Sequence, residues 1–194
     1  MAKSTILLLV LTILSVLVSA TRAIQPVDLG YATHVPTYIN STTAGTKVFL
    51  YNNIRFAQPP VGDLRFRRPR RPPPHQQGIQ NGRDRLFTSD CVSSAPQQVP
   101  FPGINGSTWG QEDCLFLNVW VPEGVRPGKD RVPVVHWLYG SAYAFGSKDL
   151  LVDGMALMDH IKQPEDRFIY VASNYRYIGS FPPSPPTQTI ETYR

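Results

Sequence analysis

The sequence predicts an α/β fold in which antiparallel strands lead into a parallel core, and three features of its second half carry that expectation. Residues 115–121 read as a strand of alternating large side chains. Residues 132–139 form a nearly continuous apolar run, the pattern of a strand buried on both faces. Between that run and the apolar residues 168–172, Leu150, Leu151, Met155, Leu157, Met158 and Ile161 recur at roughly helical spacing. Strand, helix, strand in this order predicts a right-handed βαβ unit with parallel strands.

The first half reads differently. Residues 31–51 are rich in Thr, Tyr and Val and are punctuated by Gly30, Pro36 and Gly45, which predicts short antiparallel strands joined by turns. From residue 58 to 74 the prolines exclude regular helix and central strand. Residues 76–110 read as a long irregular loop, and a loop of that length usually has a function or a staple. Beyond Arg176, four prolines in the seven residues 181–187 and no apolar period predict an extended tail, residues 177–194.

The opening residues read as a secretory signal. Lys3 supplies the positive start, residues 6–18 are apolar apart from Thr12 and Ser15, and Val18-Ser19-Ala20 is a small-residue cleavage site, preferred over Ala23. That run is too short to cross the roughly 30 Å hydrocarbon core of a bilayer as a helix, so no membrane span is expected. The organisation expected is a signal in residues 1–20, one domain in 21–176, and the tail.

An extracellular destination gives the two cysteines an oxidising compartment. Cys91 and Cys114 have no competitors in the chain, so they are expected to pair, two free thiols being the alternative. It also makes the sequons at Asn40 and Asn105 readable as glycosylation sites. The net charge of +5 is concentrated in R-F-R-R-P-R-R at residues 65–71. Nucleic acid or heparin binding is one reading, and a solvated arginine-rich surface is the other. No nucleic-acid-binding motif accompanies the run, so the solvated surface is the reading adopted.

Four segments carry a more specific signal: F-L-Y-N-N-I-R-F-A-Q-P-P-V-G-D-L-R-F at 49–66, E-D-C-L-F-L-N-V-W at 112–120, V-P-V-V-H-W-L-Y-G-S-A-Y-A-F-G-S at 132–147, and I-Y-V-A-S-N-Y-R at 169–176. In this order they resemble the type-B carboxylesterases, the serine esterases and lipases that include the cholinesterases. The resemblance covers residues 27–176. It implies an α/β-hydrolase fold, a small-molecule or lipid carboxylic ester as substrate, and an acyl-serine mechanism. No Cys/His cluster has zinc spacing and no glycine-rich loop cradles phosphate, so neither metal nor cofactor is expected.

The same resemblance assigns roles. Gly140, Ser141 and Ala142 stand where the family has the glycine triplet of its oxyanion hole. There, backbone N–H groups stabilise the negative oxygen of a tetrahedral intermediate, and losing one donor costs roughly 3–4 kcal/mol. Serine and alanine keep their N–H groups, so the question they raise is whether the backbone needs positive φ at either place. The Glu112 of E-D-C is expected to pair with the Arg65 of L-R-F as a buried, bidentate ion pair.

The nucleophile is another matter. No G-x-S-x-G occurs in the 194 residues. Ser141 lacks the flanking glycines of a nucleophile elbow, since Tyr139 and Tyr143 occupy those positions. The family acid and histidine follow the serine, and His34, His75, His136 and His160 do not match that histidine. His136 is expected to be a packed, hydrogen-bonded imidazole on a buried strand. After N-Y-R the family continues L-G-x-F-G-F, and residues 177–182 depart from it. These features read as the front part of a truncated α/β-hydrolase with an incomplete sheet. It is expected to be inactive alone and prone to aggregation or chaperone association. The alternative is a non-catalytic binding or adhesion protein of the same family.

Overall fold

The computed structural model describes residues 26–85, 89–98, 106–150 and 153–176. The expected signal, the sequon residue Asn105 and the tail lie outside them. In chain order the elements are β1 (Val27–Asp28), β2 (Thr33–His34), β3 (Tyr38–Ser41), β4 (Lys47–Arg55), β5 (Ile79–Gln80), β6 (Ser93–Ser94), β7 (Thr108–Trp109), β8 (Phe116–Pro122), β9 (Val134–Trp137), α1 (Gly154–Met158) and β10 (Ile169–Ser173).

Five strands form one mixed sheet in the order β3-β4-β8-β10-β9. The junctions β3–β4, β4–β8 and β8–β10 are antiparallel, and β9–β10 is parallel. The antiparallel entry and the parallel strand–helix–strand unit are those the sequence predicts. Two smaller sheets are β1-β2-β5 and β6-β7; β2 lies in the stretch 31–51 expected to hold short strands, whereas β5, β6 and β7 are short strands within 76–110, a stretch expected to be irregular loop.

β8 is central because its alternation serves two layers. Phe116, Asn118, Trp120 and Pro122 are buried, while Leu117, Val119 and Val121 are half-buried. Trp120 packs with Val48, Met158, Ile161, Tyr170 and Ala172 in one cluster. Its ring meets Tyr170 edge-on, with centroids 5.1 Å apart. β4 bulges against β8 between Tyr51 and Ile54. Asn53 takes up the bulge with φ 55°, a conformation asparagine tolerates better than most residues. Its N–H donates to Asn118 Oδ1 at 2.9 Å and its Nδ2 to the Gly82 carbonyl at 3.0 Å. The bulge brings Arg55 opposite Phe116.

Two expectations require correction. The helix is five residues rather than the stretch 150–161. Asp153 caps it, accepting from Met155 N at 2.9 Å, and turns carry the chain on to Ile161. So short a helix draws its stability from packing, not propensity. Met158 and Ile161 press onto the sheet, and Gly154 lies so close that a Cβ there would be 2.6 Å from Trp120 Cε2 and 2.8 Å from Tyr170 Cδ1. The second correction is β9, which is not buried on either face. Val134 and Leu138 are each 59% exposed. β9 is an edge strand paired only with β10, and no described element covers it.

Two outcomes follow from this packing. Gly154→Ala is expected to destabilise the chain by about 1–3 kcal/mol, read as a lowered urea midpoint at unchanged slope. His34 is 3% exposed, and its Nε2 has no hydrogen-bond partner among the described residues. Burial lowers its pKa below 6.5. A depressed histidine pKa means that the unfolded chain takes up its proton first as pH falls. The stability His34 contributes is therefore present above pH 6.5 and lost as pH drops through its lowered pKa. Replacing His34 with Gln should flatten urea stability against pH just below that value, and an unchanged slope would rule His34 out as the cause.

Candidate functional site

Two adjacent acids, Glu112 and Asp113, organise the approach to β8. Arg65 donates from Nη2 to Glu112 Oε2 at 2.7 Å and from Nε to Glu112 Oε1. The fork joins the proline-rich segment to the cysteine loop. It is not buried: the side chains are 37% and 22% exposed, because Arg65 sits at the end of a surface 3-10 turn. The glutamate in turn raises the Arg65 pKa, through their hydrogen bond and then through charge.

Asp113 makes the more enclosed fork, which sequence reasoning missed. Arg55 donates to its two oxygens at 2.6 and 2.9 Å, and Arg85 reaches Asp113 Oδ2 at 3.1 Å. Both guanidiniums also lie against the Phe116 ring, 4.4 and 5.0 Å from its centroid. Arg55 is 12% exposed. An acid next to the glutamate was the available signal, but its partners are 58 and 28 residues upstream in sequence and meet only through the β4 bulge.

Cys91 and Cys114 are joined as a disulfide with Cα atoms 4.9 Å apart, and both are buried. Gly110, at φ 90°, sits where any Cβ would strike the Cys91 carbonyl, which lets the returning loop close on the cysteine. Around the bridge lies a buried polar cluster. Asn174 donates from Nδ2 to the carbonyls of Ser89 at 2.7 Å and Cys114 at 3.1 Å, and its Oδ1 accepts from Lys148 N at 2.9 Å. Lys148 Nζ donates to Ser89 Oγ at 2.9 Å and to Asp149 Oδ2. Asn118 Nδ2 donates to Asp149 Oδ1 at 2.6 Å. Burial raises the pKa of neighbouring Asp90, against the pull of Ser147, Lys148 and Trp109.

This cluster anchors the far end of the segment 140–147, and tyrosines anchor its near end. Tyr139 and Tyr175 stack at 4.5 Å. Tyr175 Oη donates to the Tyr139 carbonyl at 2.7 Å and to the Gly140 carbonyl at 3.3 Å. Burial, then Tyr143, raises the Tyr175 pKa. Held at both ends, the segment makes a tight turn closed by Ala144 N donating to the Ser141 carbonyl at 3.0 Å. Ser141, Ala142 and Tyr143 have φ of 79°, 53° and 59°. All three lie in the left-handed region, at roughly 1–2 kcal/mol each for a residue with a Cβ. Gly140 does not. The glycine that is kept stands where none is needed, and the two replaced ones stand where glycine would relieve strain.

Chemically, the turn presents the N–H groups of Ser141 and Ala142 with no hydrogen-bond partner among the described residues. Successive free amides in such a turn form a concavity suited to negative oxygen. His136 is exposed, not packed in a buried strand, and its Nε2 shares a 2.8 Å hydrogen bond with Ser173 Oγ across β9 and β10. His34 is on β2, and His75 and His160 are exposed elsewhere. Among the described residues no three His, Cys, Asp or Glu side chains gather to hold a metal ion. No described helix is long and apolar enough to cross a membrane. Asn40 is exposed on edge strand β3.

Comparison with known proteins identifies the family. The profile of the carboxylesterase family matches residues 37–181. The chain is 34% identical over 151 residues to a secreted triacylglycerol lipase LIP1 of Gibberella zeae, covering 69% of this chain and 24% of the lipase. It is 33% identical over 138 residues to the cholinesterase of Mus musculus, covering 68% and 21%. Among solved structures, the crystal structure of Aspergillus niger EstA matches with a TM-score of 0.55 at 30% identity, over 80% of this chain and 26% of that one. The chain spans about a quarter or less of the length of these relatives.

The strained turn has a measurable consequence. Ser141→Gly and Ala142→Gly are each expected to raise stability by about 0.5–1 kcal/mol, the left-handed strain relieved less the entropy that glycine adds to the unfolded chain. Urea melts read this directly. A loss of stability at both positions would mean that the turn is not left-handed in solution.

Proposed function

Since the chain belongs to the carboxylesterase family, we propose that it is the part of a secreted carboxylic ester hydrolase that carries its oxyanion turn. The catalytic serine, acid and histidine of the acyl-serine mechanism are not among its 194 residues. The observation that supports this most is the turn at 140–144, which offers two amides with no partner among the described residues, on a segment fixed by Tyr175 and Asn174. In acyl transfer, such donors act on charge that develops in the transition state, and they need no reorganisation if they are already rigid. The tyrosine stack and the buried asparagine supply that rigidity. The disulfide supports an oxidising, extracellular setting.

The substrate class follows by analogy with the relatives: a lipid or small-molecule carboxylic ester. The 194 residues alone contribute binding and part of the oxyanion hole. The open face of β9, with Val134, Val135, Trp137 and Leu138 exposed, favours self-association or chaperone binding.

Short p-nitrophenyl esters test the reading. The purified 194-residue chain is expected to show no turnover above background, because no serine in it has a base and an elbow to activate it. Hydrolysis that disappears in Ser141→Ala would overturn the proposal and make that serine the nucleophile.

A further inference from the structure

We propose that the arginine-rich segment 67–71 is a docking surface for sulfated glycosaminoglycan chains, independent of the ester-hydrolase reading. Arg67, Arg68, Arg70 and Arg71 are all exposed. None of their guanidiniums makes a hydrogen bond or ion pair among the described residues, whereas Arg55, Arg65 and Arg85 are each paired with an acid. Glu112 and Asp113 are thus committed to those arginines, and Asp63 is the one carboxylate between residues 55 and 75.

The ridge is also held in place. Gln58 N donates to the Arg70 carbonyl at 3.0 Å, and Arg176 Nη2 to the Arg67 carbonyl at 2.9 Å, adding a fifth positive charge beside it. Pro69, Pro72, Pro73 and Pro74 restrict the backbone further. A fixed backbone loses little entropy when a ligand binds. Even fully extended, residues 67–71 span no more than about 14 Å, so neighbouring charges lie within or near a Debye length of about 8 Å and their fields add. Guanidinium forks suit tetrahedral oxyanions better than ammonium groups do. Between the two polyanions such a ridge could take, the disulfide decides. It marks an oxidising compartment, where sulfated polysaccharide rather than nucleic acid is the polyanion within reach.

The full 194-residue chain can be tested on immobilised heparin across a salt gradient. Wild type is expected to bind at physiological salt, and Arg67→Gln/Arg68→Gln/Arg70→Gln/Arg71→Gln to bind at least roughly tenfold more weakly with a shallower salt dependence. A charge-matched control, Lys47→Gln/Lys129→Gln/Arg131→Gln/Lys162→Gln, removes four exposed charges elsewhere and is expected to stay within about twofold of wild type. The two double variants, Arg67/Arg68 and Arg70/Arg71 to Gln, should each fall between, which separates a binding loss from a folding failure. Equal losses in the ridge and control variants would reduce the effect to net charge and overturn the proposal. So would tighter binding to single-stranded RNA than to heparin at the same salt, which would reassign the ridge to nucleic acid.

Discussion

The buried side-chain amide of Asn174 is the contact on which the rest of this structure depends. It is 1% exposed, and it makes three hydrogen bonds to three separate stretches of backbone. One is the cysteine loop at Ser89, one the entry to β8 at Cys114, and one the end of the segment 140–147 at Lys148. Its own N–H donates to the Phe116 carbonyl. The Ser89 carbonyl and the Lys148 amide have no other hydrogen-bond partner among the described residues, and leaving such a group unpaired costs about 1–3 kcal/mol; the Cys114 carbonyl also accepts from Phe116 N at 2.8 Å. The disulfide fixes how far apart Cys91 and Cys114 can be. Asn174 fixes what they face.

From that node the chain distributes its charges in a consistent way. Adjacent carboxylates at 112 and 113 point to different arginines, so the acidic pair becomes two forks rather than one repelling site. The outer fork, Arg65–Glu112, stays partly in water and orients the proline-rich segment more than it stabilises the fold. The inner one, at Asp113, combines two guanidiniums with the face of Phe116. Packing and charge then reinforce each other where β4 and β8 meet. Lys148 is buried by the same logic, its ammonium shared between Ser89 and Asp149. With Glu112 and Asp113 paired to Arg65, Arg55 and Arg85, the exposed arginines of 67–71 make no ion pair among the described residues.

The turn at 141–144 shows how such a scaffold tolerates strain. Three successive residues with side chains adopt left-handed backbone, which isolated peptides would avoid. Tyr175 grips the carbonyls on one side and Asn174 the amide on the other, so the intervening residues have little freedom to escape. Strain of this kind persists where the surroundings over-determine the backbone, and it keeps the two free amides from collapsing onto the chain's own carbonyls.

The sequence by itself determined the α/β class, the positions of β8, β9 and β10 to within two or three residues, and the family. These are local signals: alternation, apolar runs, and motifs in a fixed order. It also indicated which cysteines would pair, because there were only two. Tertiary structure alone decided the rest. The apolar run at 132–139 reads as buried because periodicity reports composition, yet burial depends on what neighbours the strand, and β9 has one. The Asp113 fork was not legible because a bulge at Asn53, tens of residues away, sets which arginine arrives. Nor was the left-handed turn, since Ser141 and Ala142 have no preference for positive φ. Their conformation is imposed by hydrogen bonds from residues 174 and 175, which sequence order places more than thirty positions downstream and the sheet brings alongside.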